Sequence, residues 1–179
     1  MGKSTNFLFA GFGGQGILFA GKLLAYSGLL AKKQLSWLPS YGPEMRGGTA
    51  NCSVILSDDP IGSPIVSKPD VLVALNLPSL EKYENETVAG GIIVYDNSLI
   101  TKNVERKDVK VFAIPATHLA VENNLEGLAN MIILGKVIKE CDAIDYDYIK
   151  QGMQKVVPAK KAEMLSLNLK AVEIGYNYN

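Results

Sequence analysis

The chain has 179 residues, 47% of them hydrophobic, and its eighteen basic and eighteen acidic side chains cancel. A balanced charge removes any bulk electrostatic case for a nucleic-acid or membrane partner, and no apolar run approaches the roughly 18 residues of a spanning helix. Cys52 and Cys141 stand alone, without the spacing that holds zinc or an iron–sulfur cluster, and read as small buried apolar residues. The length fits one domain over residues 1–179. The apolar stretch ahead of the first glycines is too short for a signal-peptide core, so a cytoplasmic protein is expected.

The first strong signal is Phe7-Leu-Phe-Ala-Gly-Phe-Gly-Gly-Gln-Gly-Ile17, an apolar run followed by Gly11, Gly13, Gly14 and Gly16 and then a proline-free segment. It predicts a buried strand that stops at a tight glycine turn and feeds a helix. The first N–H groups of a helix have no partner inside it, and glycines let an anion approach the backbone. The spacing Gly11-x-Gly13-x-x-Gly16 matches the dinucleotide fingerprint. The same glycines would equally serve a turn that only packs helix against strand.

Residues 17–31 form the predicted first helix, with Gly21, Ala25 and Gly28 on one narrow face. Leu18, Phe19, Leu23, Tyr26, Leu29 and Leu30 cover much of the remainder. A helix apolar nearly all round is buried on more than one side. One face should meet the sheet, and another either a different polypeptide or a second layer of this chain. Residues 34–38 read as a second strand ending at Pro39, and Ser40-Tyr-Gly-Pro-Glu-Met-Arg-Gly-Gly48 as a loop. Arg46 is one of only two arginines among the eighteen basic residues. Its planar fork suits phosphate or carboxylate, so it reads as an anion clamp, with an exposed salt bridge as the alternative.

Residues 49–56 alternate as a strand that puts Cys52, Val54 and Leu56 on one face. Residues 57–60 turn the chain, and 61–66 are expected to return as a hairpin partner. Residues 71–75 are a continuous apolar run, as in a strand buried on both faces, with Asn76 at its carboxyl end and a short helix over 78–83. Further buried strands are predicted at 92–95, ended by Asp96, and at 109–114, ended by Pro115-Ala-Thr117. Helical patterns follow at 128–141, after a capping Asp145, and at 158–174, the last with the stripe Ala162, Leu165, Leu169 and Val172 and closed by Gly175.

This alternation predicts an α/β fold: a doubly wound, mostly parallel, Rossmann-like sheet with an antiparallel hairpin addition over 49–66 and C-terminal helices. Ligands of such sheets bind outside the carboxyl ends of the strands. That crevice should gather the Gly11–Gly16 backbone, Ser40, Arg46, Asn76, Asp96 and Thr117, although Asp96 equally fits a capping role. His118, the single histidine, has no partner at triad or ligand spacing and reads as structural.

No serine or cysteine has an evident base, and no carboxylate pair or metal cluster is spaced for chemistry, so no catalytic and no metal-binding residue is assigned. A nucleoside triphosphate loop would carry a lysine after the glycines, and a conventional NAD site an acidic residue further on. Here Ala31-Lys-Lys-Gln-Leu-Ser36 stands instead, and its two lysines would suit an additional phosphate. The chain reads as a binding surface without catalytic machinery of its own.

Gly11-Phe-Gly-Gly-Gln-Gly16 and Trp37-Leu-Pro-Ser-Tyr-Gly-Pro-Glu-Met-Arg-Gly-Gly-Thr-Ala-Asn-Cys52 closely resemble the gamma subunit of 2-oxoacid:ferredoxin oxidoreductases. Gly62-Ser-Pro64, Asp70-Val-Leu-Val-Ala-Leu-Asn76 and Pro78-Ser-Leu80 extend the resemblance, which runs from about Asn6 to the last helix. The stretch from Ser40 to Gly48 is similar to the 2-oxoglutarate and branched-chain (2-oxoisovalerate) branch more than to the pyruvate branch. What the resemblance implies is a complex that oxidatively decarboxylates a 2-oxoacid to an acyl-CoA and passes electrons to ferredoxin. Alpha and beta partners, with a delta or ferredoxin-like chain, would carry thiamine diphosphate, magnesium and iron–sulfur clusters. The gamma chain, itself without a redox centre, would hold coenzyme A. Carried over by position, the coenzyme-facing groups are Gly13, Gly14, Gln15, Ser40 and Arg46, and Gly11, Gly16 and Asn76 complete the set. Two other readings stay open: a stand-alone NAD(P)- or flavin-binding Rossmann-like domain, and a structural subunit whose glycine turn only packs.

Overall fold

The computed structural model describes residues 2–40 and 49–179. Six strands form one sheet, taken here in chain order: β1 (Ser4–Phe12), β2 (Gln34–Ser40), β3 (Thr49–Ser57), β4 (Val71–Ala74), β5 (Ile92–Asp96) and β6 (Lys110–Ile114). Their spatial order is β2-β3-β1-β4-β5-β6. β1, β4, β5 and β6 run parallel, while β3 is antiparallel to both β1 and β2. The helices are α1 (Ile17–Leu30), α2 (Leu77–Tyr83), α3 (Ala116–Glu122), α4 (Ala129–Glu140), α5 (Tyr146–Val156) and α6 (Ala162–Asn177).

Alternation along the strands divides the core. Phe7 and Phe9 of β1, Cys52, Val54 and Leu56 of β3, and Val71 and Val73 of β4 face the layer of α1, α4 and α5. Leu8, Leu72, Ala74, Ile93 and Tyr95 point the other way and pack on Leu80 of α2 and on Ile100. Each such side chain contributes about 1.5–3 kcal/mol when fully buried. The sheet is therefore covered on both faces, thickly on one, and on the other by the short α2 with Ile100 and Val104 from the segment after β5.

The antiparallel addition exists, but its strands differ from expectation. Residues 61–66 form no strand; β3 pairs instead with β2 on one side and β1 on the other. β3 ends beside the start of β1, which is also where β4 begins, so the segment between them only has to pass under β1. Nor does β2 stop at Pro39: it runs to Ser40, with Pro39 opposite Cys52. β2 is the edge of the sheet, where the missing N–H of proline costs no ladder bond.

The two faces of α1 are both covered within the chain. A Cβ at Gly21 would fall 2.4 Å from Cys52 Sγ, and one at Gly28 2.4 Å from Leu56 Cδ2, so the small-residue face seats the helix directly on β3. On its other side lies α5, where Gly152 meets Ser27 and Leu23. Of the two predicted partners for α1, the second layer of the same chain is the one observed. α4 is buried all round, from Asn130 to Ile138, not along one stripe. Gly175 does not close α6. The helix begins only at Ala162 and runs on to Asn177, and its buried face is Asn168, Ala171, Val172 and Gly175, with Leu165 and Leu169 half-buried. Asp145 precedes α5, but its side chain makes no capping bond.

Candidate functional site

β1 and β4 are adjacent and parallel, yet α1 leaves β1 toward one face and α2 leaves β4 toward the other. That divergence opens a crevice at the carboxyl ends of the two strands, the usual ligand position in this kind of sheet. The glycine turn occupies it. Gly13 and Gly14 are exposed, and Gly14 has φ +89° with nothing among the described residues within 4 Å of where a Cβ would stand. Gly16 caps α1 in the left-handed region, at φ 73°, with no side-chain cap. Among the described residues, the one early N–H of α1 that turns back is Ala20, to the Gly16 carbonyl at 3.1 Å. Among the described residues the N–H groups of Ile17, Leu18 and Phe19 have no backbone acceptor outside the helix, and they carry the positive end of the helix dipole. No carboxylate lies in the turn to oppose an anion.

Gly11 and Gln15 make close contacts within the chain. Gly11 is buried, and a Cβ there would meet Ile17 and Gln15 within 2.6 Å. Gln15 bridges the crevice floor: its Oε1 accepts the Phe12 N–H at 2.6 Å and its Nε2 donates to the Leu75 carbonyl at 3.0 Å. Gln15 thus joins the end of β1 to the end of β4, and both ends of its amide are engaged within the chain. Asn130 of α4, which the sequence did not single out, donates from Nδ2 to the Gly16 carbonyl at 3.0 Å. Only long-range packing brings it there, across 114 positions.

The other predicted crevice groups divide. Asn76 stands at the end of β4, 3% exposed, and its Oδ1 caps α2 by accepting the Ser79 N–H at 2.8 Å. A cap of this kind contributes about 1 kcal/mol. Its Nδ2 and the Ser79 Oγ are buried without partners among the described residues. Ser40 is exposed at the end of β2. Arg46 lies outside the described residues. Asp96 and Thr117 are joined to each other: the fully buried Asp96 carboxylate accepts the Ser98 N–H at 2.9 Å and both the N–H and hydroxyl of Thr117. Its acceptor capacity ties the end of β5 to α3, the capping role left open above.

Groups with other expected roles are also accounted for. His118 is exposed and pairs with Glu122 one turn along α3. Lys33, one of the two lysines that would serve an additional phosphate, is ion-paired with Asp58. That bond, with the Lys3 N–H, holds the Asp58 carboxyl below its ordinary value. Cys52 and Cys141 are buried, and burial pushes their thiols up to about 12 and about 11. Among the described residues no group of three or more potential metal ligands forms, and no helix is long and apolar enough to cross a membrane. A groove of about 510 Å³ between α5 and α6 includes none of the turn residues.

Comparison with known proteins places this architecture. The sequence profile of the pyruvate ferredoxin/flavodoxin oxidoreductase family matches residues 6–178. The ketoisovalerate oxidoreductase subunit VorA of Methanothermobacter thermautotrophicus is 38% identical over 93% of this chain, which spans 34% of that longer protein. The 2-oxoglutarate synthase subunit KorC of Methanocaldococcus jannaschii is 35% identical, with 93% of this chain matched to 89% of its own. Among solved structures, the gamma subunit of a keto/oxoacid ferredoxin oxidoreductase from Geobacter sulfurreducens superposes with a TM-score of 0.82 at 28% identity, covering 96% of both chains. The 2-oxoglutarate:ferredoxin oxidoreductase of Magnetococcus marinus, solved with 2-oxoglutarate, coenzyme A and succinyl-CoA bound, gives 0.87 at 25% identity, with 97% of this chain matched to 30% of that one. A switch-point sheet with a glycine turn, matched in sequence and in shape over nearly its whole length, makes the chain a gamma-type member of the pyruvate ferredoxin/flavodoxin oxidoreductase family.

Proposed function

We propose that the chain, as one cytoplasmic domain, is the coenzyme A-positioning gamma subunit of a multi-subunit 2-oxoacid:ferredoxin oxidoreductase. The observation that carries this reading is the open glycine turn. Among the described residues Ile17, Leu18 and Phe19 have N–H groups without acceptors, and nothing lies within 4 Å of a Cβ at Gly14. A pyrophosphate fits such a cradle, since it needs converging backbone donors and close approach. The partial coverage of VorA and of the Magnetococcus chain supports a domain that works inside a larger assembly.

Thiamine diphosphate, magnesium and iron–sulfur clusters belong, on this reading, to alpha, beta and delta or ferredoxin-like partners, and ferredoxin takes the electrons. The two cysteines of this chain are buried with raised thiols and fit no cluster. The chain's part is to bind and orient the thioester-forming coenzyme while chemistry proceeds on its neighbours. 2-Oxoglutarate is the leading substrate because KorC chains are matched over almost their full length. 2-Oxoisovalerate is the second, favoured by the higher identity to VorA. Ferredoxin reduction by the assembled enzyme with each acid decides between them.

Gly14→Ala tests the coenzyme site. The added methyl meets nothing among the described residues, so beyond the cost of the left-handed backbone it bears on whatever binds at the turn. In the assembled enzyme the KM for coenzyme A should rise about tenfold while that for the 2-oxoacid holds. An unchanged KM for coenzyme A would leave a purely structural subunit. Tight NAD(P) or flavin binding by this chain alone would favour the stand-alone domain.

A further inference from the structure

Asn130, in the first turn of α4 and 5% exposed, is not explained by packing. Its Nδ2 reaches the Gly16 carbonyl, but its Oδ1 is buried with no hydrogen-bond partner among the described residues. Leaving such an acceptor unpaired is costly, and an apolar side chain of similar size would be the more stable occupant. Nor does the Gly16 carbonyl need the amide to be satisfied, because it already accepts the Ala20 N–H. The amide is therefore a poor choice for stability, and it sits against the residue that sets the direction of α1. The contact is close: a Cβ at Gly16 would lie 2.3 Å from Nδ2. α4 is a firm base for it, since Gly135 and Gly175 let α4 and α6 meet backbone to backbone.

We propose that Asn130 is a positioning residue for the anion-binding turn. By holding the Gly16 carbonyl it fixes the left-handed cap, and the cap in turn aims the N–H groups of Ile17, Leu18 and Phe19 outward at a phosphate. This rests on the coenzyme reading of the turn and assigns part of that site to the helical layer behind the sheet. The unpaired Oδ1 is the cost of keeping the donor in place.

The test is Asn130→Leu in the assembled oxidoreductase, with Gly14→Ala measured beside it. Asn130→Leu removes both the donor and the orphaned acceptor. The thermal midpoint should hold or rise, while the KM for coenzyme A rises about tenfold and kcat and the KM for the 2-oxoacid stay within about twofold. Amide hydrogen exchange over residues 12–20 gives a second readout: protection by coenzyme A in the unaltered enzyme should be lost in the variant. Asn130→Asp, which keeps the shape and loses the donor, should raise the same KM, and Ile133→Val on the same helix should not. If the larger changes prevent assembly, Asn130→Ser carries the same expectation. A lowered midpoint with an unchanged KM for coenzyme A would overturn the proposal and make Asn130 a packing residue. If Gly14→Ala also leaves that KM unchanged, the coenzyme reading itself fails; if only the Asn130 variants do, the positioning role alone falls.

Discussion

Two regions of this molecule depend on glycine for opposite reasons. At the β1–α1 junction, Gly14 is exposed in a left-handed conformation with nothing among the described residues near its missing side chain. Between α4 and α6, Gly135 and Gly175 lie in ordinary helix, and a Cβ would fall 2.0 Å from the Val172 carbonyl oxygen in one case and 1.7 Å from that of Ile132 in the other. The first region uses glycine where exposed backbone turns through a left-handed conformation. The second uses it to bring two backbones of the same chain into contact. A glycine's partner, not its identity, decides which kind it is.

The largest effect expected from this contrast is Gly175→Ala. The methyl would meet backbone, which cannot move aside without separating the helices. A loss of about 3 kcal/mol or more is expected in thermal or denaturant unfolding. A loss below about 1 kcal/mol would mean that the α4–α6 contact is adaptable. The buried side also has a pH signature. Burial raises the Cys52 and Cys141 thiols to about 12 and about 11, against about 8.5 for an exposed thiol in the unfolded chain. The folded form then holds more protons than the unfolded above that pH, so stability should fall as pH rises from about 9. Below it, neither thiol should react with iodoacetamide until the chain unfolds.

Gly14→Ala should cost less, about 1 kcal/mol, from the left-handed backbone alone. Gly127→Ala sharpens the comparison, because Gly127 has φ +86° and the same empty surroundings. Both variants should lose similar stability, and only Gly14→Ala should weaken coenzyme A binding. Equal kinetics for the two would erase the functional distinction. The smallest change belongs to His118→Ala. It removes an exposed pair with Glu122, and both stability and activity should stay within about 0.5 kcal/mol of the starting values.

The glycine spacing and the apolar runs were legible in the sequence because they are local. Gly11, Gly13, Gly14 and Gly16 between a strand and a helix mark a turn wherever they occur, and runs such as Val71-Leu-Val-Ala-Leu75 mark buried strands. Asp96 was legible as either ligand or cap, and the choice rested on Thr117, which comes to it from another element. Residues 61–66 misled because their apolar character carried no information about which strands would neighbour β3. Gly175 was read as a helix end because, at sequence level, a glycine after an apolar stripe looks the same whether it stops a helix or packs one.

By itself, the sequence determined the order and type of most elements, the position of the glycine turn, and the absence of charge within it. Those properties follow from residue chemistry repeated at fixed local spacing. Only the tertiary structure decided that Gln15 spans β1 and β4, that Asn130 braces Gly16, and that α5 covers the free side of α1. Each of those is a contact between distant segments, fixed by how the helical layer settles on the sheet, and no local spacing encodes it.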